Sequence, residues 1–168
     1  KLPNVTLYPE SAMRAADILE TGVEHVFVAS GATWRRDGIG RYQWQPLAGH
    51  EMPHVVTPDD ILAGNVPAGR LVVYDNDHYY LGGLIAGKLL REGNEVLLVT
   101  PAPLVSYWTQ YTLEQEKIQQ RLMALHCELL VQHKLAAIHA EHVTVEHTIS
   151  TERREIPCTG VVLLADRQ

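Results

Sequence analysis

The chain has 168 residues, 46% of them hydrophobic, and a formal charge of -6 from 14 Lys and Arg against 20 Asp and Glu. That length buries one core, or one domain plus part of another, and an acidic balance without a basic patch excludes a non-specific nucleic-acid binder. No apolar run approaches the roughly 18 residues that cross a bilayer, and the 2 cysteines give neither a disulfide framework nor a CxxC motif.

In chain order, Asn4–Tyr8 has strand character, and Ser11 is placed to cap a short helix running to Glu20. His25–Ala29 is an apolar run of buried-strand type that ends at Ser30-Gly31-Ala32. Residues 33–56 mix Gly, Pro and aromatic residues without a period and read as a long connection. Thr57-Pro58-Asp59-Asp60 is a helix start, with Thr57 as cap, Pro58 in the first helical position and acids at the positive end; that helix ends near Gly64. Arg70–Gly93 reads as strand, turn and helix, and Glu95–Thr100 as the next strand. A longer helix is expected over Leu113–His126 and a third strand over Glu128–Gln132. Alternating Val143, Val145 and His147 predict an exposed strand paired with residues 152–157, and Gly160–Ala165 is again a buried strand.

These elements predict an α/β, Rossmann-like (FAD/NAD(P)-binding-type) three-layer domain with a small antiparallel flap over residues 136–157. The matching apolar runs at the two ends assign residues 1–33 and 160–168 to the end strands of an adjoining FAD/ADP-type domain. Residues 34–159 are then an inserted NAD(P)-like domain. A first residue of Lys1 rather than Met fits a piece of a longer chain, and the lack of a signal peptide makes the cytoplasm the expected setting.

The turn after the first strand of the β-α-β unit is its most informative part. A dinucleotide fold places G-x-G-x-x-G there, so that backbone N–H groups reach the pyrophosphate. Here the three glycine positions hold Asp75, Asp77 and Tyr80. A like-charge pair at ~4 Å costs roughly 4 kcal/mol at an effective dielectric of ~20, against about 8 kcal/mol in total for a micromolar ligand. The second strand ends in Thr100-Pro101, not in the acid that holds a ribose. Both features predict lost NAD(P)H binding. A loop shifted onto Gly82 and Gly83 is the alternative that would keep a phosphate site.

Other motifs have bland readings. His50-Glu51-Met52-Pro53-His54 matches H-E-x-x-H, but Pro53 is incompatible with the helix a zinc site needs. His139-x-x-His142 could share a metal if a hairpin folded the two together; exposed strand and turn histidines are the simpler account. Tyr79, Tyr80, Tyr107, Trp108 and Tyr111 are read as packing residues rather than a base-stacking platform. Trp34-Arg35-Arg36 suits either a phosphate or electron-carrier contact, or an ion pair with Asp37 or a neighbouring domain. No nucleophile set is visible, so no catalytic residue and no metal ligand is assigned.

Ala29-Ser30-Gly31, running into Ala32, resembles the A-T-G that closes the first nucleotide domain of two-domain flavoproteins, and Ala165-Asp166-Arg167 resembles their G-R-x-P return. Gly31–Gly40, Val73–Gly83 and Tyr107–Gln115 resemble the C-terminal region of the trimethylamine dehydrogenase, dimethylamine dehydrogenase and 2,4-dienoyl-CoA reductase (NADH:flavin oxidoreductase) family. The resemblance implies a parent oxidoreductase with a (β/α)8 barrel holding FMN and a 4Fe-4S cluster, ADP or FAD in the first nucleotide domain, and no cofactor in this chain. It implies as partners the remaining parent domains, an electron-carrier protein and further copies in a homo-oligomer, with no nucleic acid or membrane. The alternative is a working NAD(P)H-binding domain as in the dienoyl-CoA reductase branch; a metal-binding module is a more remote third.

Overall fold

The computed structural model describes residues 3–168, which divide into two compact units at Gly31 and Ala32. The first unit contains one helix, α1 (Ala15–Glu20). Its start is set by Asp17, whose carboxylate accepts from the Arg14 N–H at 2.7 Å, and not by Ser11. The expected strands Asn4–Tyr8 and His25–Ala29 do not form; Phe27 is 93% exposed. A strand is held by its ladder and by packing on one face, and among the described residues nothing pairs with either run.

The second unit is built on a five-stranded, wholly parallel sheet: β1 (Val55–Val56), β2 (Arg70–Asp75), β3 (Glu95–Val99), β4 (Glu128–Leu130) and β8 (Gly160–Leu164), in the order β1-β8-β2-β3-β4. A separate antiparallel sheet contains β5 (His133–Ile138), β6 (His142–His147) and β7 (Arg153–Pro157). The helices of this unit are α2 (Pro58–Leu62), α3 (Tyr80–Arg91) and α4 (Gln115–Ala124), with a 3-10 turn at Tyr107–Gln110.

Strand alternation divides the parallel sheet between two cores. Leu71, Val73, Val96, Leu98, Val162 and Leu164 pack with Ile85 and Leu89 of α3 and Leu122 of α4. Val72, Tyr74, Leu97, Val99, Val161 and Leu163 pack with Leu135, Ile138, Val143 and Val145 of the antiparallel sheet and with Leu47. Helices therefore cover one face and the flap covers the other, which is why the parallel strands read as continuous apolar runs.

Two expectations are corrected here. Gly160–Leu164, expected with the end strands, lies between β1 and β2, because an apolar strand buried on both faces completes the parallel ladder. Val143 and Val145 are fully buried rather than on an exposed strand, since their face of the flap closes on the parallel sheet. The long connection expected over residues 33–56 is present up to β1, and it is pinned along its length. Arg36 donates to the Val55 carbonyl and to Asp60 of α2, both at 2.5 Å; the Trp34 N–H donates to Asp59 at 2.8 Å; and Arg35 pairs with Asp37 at 2.5 Å. Both arginines are thus engaged in intramolecular contacts.

The connection meets the flap at an isolated bridge between Ala48 and Ala137. Gly49 follows with φ +83°, and a Cβ there would lie 2.0 Å from the Ile138 carbonyl oxygen. Gly64 has a similar φ of +90° with open space around it. We expect Gly64→Ala to cost about 1 kcal/mol through backbone strain alone, and Gly49→Ala at least about twice that because the flap must also move. Urea denaturation of the two variants checks this; equal losses would show that the close approach at Ile138 is unimportant.

Candidate functional site

The carboxyl ends of β2, β3 and β8 converge on the corner between β2 and α3, the position at which open parallel sheets bind ligands. The corner is filled from within. Asp75 is 0% exposed, and its Oδ1 accepts from the His78 N–H at 2.9 Å. A Cβ on Gly82 would lie 2.5 Å from the Asp75 carboxyl carbon, so only glycine in the first turn of α3 admits that carboxyl. Asn76 donates its N–H to the Leu164 carbonyl at 2.8 Å and accepts from the Tyr42 N–H at 3.3 Å. Gly40 is held beside it: a Cβ there would meet the Asn76 amide nitrogen at 2.5 Å.

His78 joins three elements. Its backbone has φ +61°, its carbonyl accepts from the Trp108 N–H at 2.9 Å, and its Nδ1 lies 3.1 Å from the Thr100 hydroxyl at the end of β3. The Tyr42 ring meets the imidazole edge-on at 5.5 Å. Outside this plug lies an open cleft of about 430 Å³ lined by Arg41, Asp77, Tyr79, Trp108, Tyr111, Thr112 and Arg167. Arg41 lies over the Trp108 ring at 5.2 Å, and Arg167 over Trp34 at 4.3 Å.

Burial dominates the electrostatics. Loss of solvent pushes the Asp75 carboxyl up to about 7; its backbone hydrogen bonds oppose this, and nearby Asp77 adds to it. Asp77, half-buried, is also raised by desolvation, against the pull of Arg167 and Arg41. Burial, reinforced by Arg41, lowers the His78 imidazole to about 4. Near pH 7 the His78 imidazole is therefore neutral and the Asp75 carboxyl is partly protonated. The side-chain atoms Asp75 Oδ2, Asn76 Nδ2, His78 Nε2 and Ser106 Oγ in and around it are buried without a hydrogen-bonding partner.

The structure distributes the predicted site residues unevenly. Asp75 and Asp77 sit at the corner, but Asp75 presents a buried, partly protonated carboxyl instead of a second full negative charge. Tyr80 does not crowd the helix against the sheet: its hydroxyl donates to Glu114 and lies 2.9 Å from the Thr112 hydroxyl. Gly82 and Gly83 are inside α3 and serve close packing, Gly82 against Asp75 and Gly83 against Ile118, so the shifted-loop alternative has no loop to use. Ser30 and Gly31 belong to the first unit and Ala32 begins the second; all three are exposed. Sequence reasoning did not single out Asn76, His78 or Arg41, and it marked Arg167 only as part of the return motif. The signal for the first two was a run of polar residues directly after an apolar strand.

The other motifs are also accounted for. His50–His54 lies in turns. His139 and His142 do stack, with centroids 4.3 Å apart, but among the described residues no three His, Cys, Asp or Glu side chains are grouped to hold a metal. Cys127 and Cys158 are buried and free, and burial pushes the Cys127 thiol up to about 11. Among the described residues no helix is long and apolar enough to cross a membrane.

A family model described as the OYE-like second alpha/beta domain matches residues 56–161. Dimethylamine dehydrogenase of Hyphomicrobium sp. (strain x) is 32% identical over 124 residues, covering 72% of this chain and 17% of that protein. The structure of 6-hydroxypseudooxynicotine amine oxidase (HisD) from Pseudomonas geniculata N1 superposes with a TM-score of 0.93 at 36% identity, over 99% of this chain and 25% of that one. Histamine dehydrogenase from Rhizobium sp. 4-9 gives a TM-score of 0.84 at 39% identity, over 94% and 25%. The chain belongs to the OYE-like second alpha/beta domain family, and it spans a quarter or less of these relatives' lengths.

The two buried groups titrate with opposite consequences. The raised Asp75 favours folding in its protonated form, so its contribution is full below the unfolded value near 3.8 and is lost as pH rises through about 7. The lowered His78 favours folding in its neutral form, so its contribution is full above 6.5 and is lost as pH falls through about 4. Asp75→Asn keeps the acceptor for the His78 N–H and removes the titration. It is expected to leave stability little changed at pH 4.5 and to raise it by about 2 kcal/mol or more at pH 8, within a ceiling of roughly 4 kcal/mol from the shift itself. Urea unfolding at the two pH values measures this, and a difference independent of pH would mean that Asp75 ionises in the fold as readily as in the unfolded chain.

Proposed function

We propose that this chain is the C-terminal, Rossmann-like NAD(P)-type region of an FMN- and 4Fe-4S-dependent amine dehydrogenase-type oxidoreductase, in which it serves as a structural and interaction domain and binds no dinucleotide. One observation carries this reading: the Asp75 carboxyl occupies the β2–α3 corner. A working dinucleotide turn leaves its N–H groups free to approach a phosphate. Here the N–H of His78 is already bound by Asp75, whose carboxyl lies against the Gly82 backbone. A diphosphate would have to displace a buried side chain, and this exclusion by volume holds whether or not Asp75 is ionised.

The iron–sulfur cluster is assigned to the parent protein outside this chain. A 4Fe-4S centre takes four thiolate ligands, and the 2 cysteines here are buried apart from one another, Cys127 against Val96 and Cys158 in the flap-side core. FMN, and ADP or FAD, are likewise placed in the parent protein. This domain's role there is to brace the neighbouring domains and subunits and to offer a docking face for an electron carrier, working in the cytoplasm as part of a homo-oligomer. The aromatic and arginine-lined cleft beside Asp77 supports a contact role, since Trp108, Tyr79 and Tyr111 are 40%, 41% and 78% exposed around two guanidiniums.

NADH or NADPH at about 1 mM is expected to leave the unfolding midpoint unchanged, because a ligand without affinity for the fold shifts nothing. A saturable rise in midpoint with either nucleotide would overturn the reading in favour of a working pyridine-nucleotide domain.

A further inference from the structure

On the side of α3 away from the plugged corner, α3 and α4 enclose a groove of about 310 Å³. The two helices begin together, with the Tyr80 hydroxyl donating to Glu114, and they run in the same direction. Gly83 in the first turn of α3 abuts Ile118, and Gly87 faces Leu125 past the end of α4. The floor is apolar, made by Leu84, Ile118, Leu122 and Leu125, and Leu84 remains 62% exposed.

Two guanidiniums, of Arg91 and Arg121, line this same groove, and neither has an ion-pair partner among the described residues. The macrodipole accounts for cations in the last turns of the helices. Arg91 lies back one turn over Gly87, as helix side chains do, and a Cβ on Gly87 would lie 3.4 Å from its Nη1. The one carboxylate of the groove, Glu114, is tied to Tyr80 at the shared start of the helices. The groove thus combines an apolar trough, an ionised acid held by Tyr80 at one end and two guanidiniums without ion pairs towards the other.

We propose that the groove between α3 and α4 binds an amphipathic anion of the medium-chain carboxylate class, its tail on Leu84, Ile118, Leu122 and Leu125 and its carboxylate on Arg91 and Arg121. The volume lies at the small end of ligand sites, which run from about 300 to 1,000 Å³, and suits one short chain rather than a ring system or a lipid pair. Guanidinium groups favour carboxylate over neutral or cationic heads.

Isothermal titration of the full-length protein with decanoate, 1-decanol and decylamine, all below micelle-forming concentration, tests the proposal. Decanoate should bind once per chain and saturably, and octanoate more weakly by about twofold to fourfold per methylene removed. Arg91→Gln with Arg121→Gln should weaken decanoate by about fivefold or more while leaving 1-decanol unchanged. Gly87→Leu should abolish binding with folding retained, because leucine is the better helix former and the new Cβ meets nothing closer than 3.4 Å. Absence of saturable decanoate binding, equal binding of all three head groups, or binding that survives Gly87→Leu would overturn the proposal. So would dissociation of an oligomer by Gly87→Leu, seen in sedimentation, which would assign the groove to a second copy of the chain.

Discussion

The architecture at the carboxyl end of the sheet depends on one contact, the Asp75 carboxyl seated on the Gly82 backbone. Everything around it follows from giving a buried acid a place. Gly82 must lack a side chain, the chain must turn through a left-handed residue at His78 so that its N–H meets Oδ1, and α3 must start late enough that its first turn closes over the carboxyl. His78 then carries the constraint outward, to β3 through Thr100 and to the 3-10 turn through the Trp108 N–H. Asn76 carries it to β8 and to the loop of Gly40 and Tyr42. A non-glycine residue at positive φ and a desolvated acid are both unfavourable taken singly. They persist together because each satisfies part of the other, and because Asp75 can shed part of its charge by holding its proton.

What was legible in the sequence divides along physical lines. The β2–α3–β3 unit could be read because a parallel strand covered on both faces must be apolar throughout, and because α2 carries a complete set of start signals, Thr57, Pro58 and Asp60, all used in the structure. Strand β5 escaped because a register shift between Leu135 and Ala137 breaks the alternation that would reveal it. The placement of β8 could not be read, since an apolar strand declares that it is buried but not which sheet it joins. His25–Ala29 illustrates the converse: strand composition without a ladder to join stays exposed.

The candidate site was legible in identity and illegible in mechanism. Three residues out of pattern marked the corner, yet charge repulsion was the wrong physical reading of Asp75, because the sequence does not report that the side chain turns inward and loses its solvent. Tyr80 was likewise correctly noticed and wrongly aimed. Its partner, Glu114, is 34 positions away, and no local pattern connects the two. Arg41, which was missed, and Arg167, which was noticed only as part of a return motif, reach the cleft from opposite ends of the second unit, so only the closed sheet brings them together.

A glycine-rich phosphate turn is an unfinished structure: its amides point at space until a ligand arrives, and its backbone is selected for freedom. The corner in this chain is finished by its own side chains. The N–H of His78 is satisfied, the first turn of α3 is covered, and a ladder hydrogen bond from Asn76 to Leu164 locks the turn to the centre of the sheet. Such a corner has the same geometry whether or not a nucleotide is present, which is the property a brace needs and a cofactor site does not. On the proposed reading, the loss of dinucleotide affinity and the gain of a rigid strand–helix junction are one event, the replacement of a bound phosphate by a tethered carboxyl. The raised affinity of that carboxyl for its proton lessens the charge the buried corner has to hold.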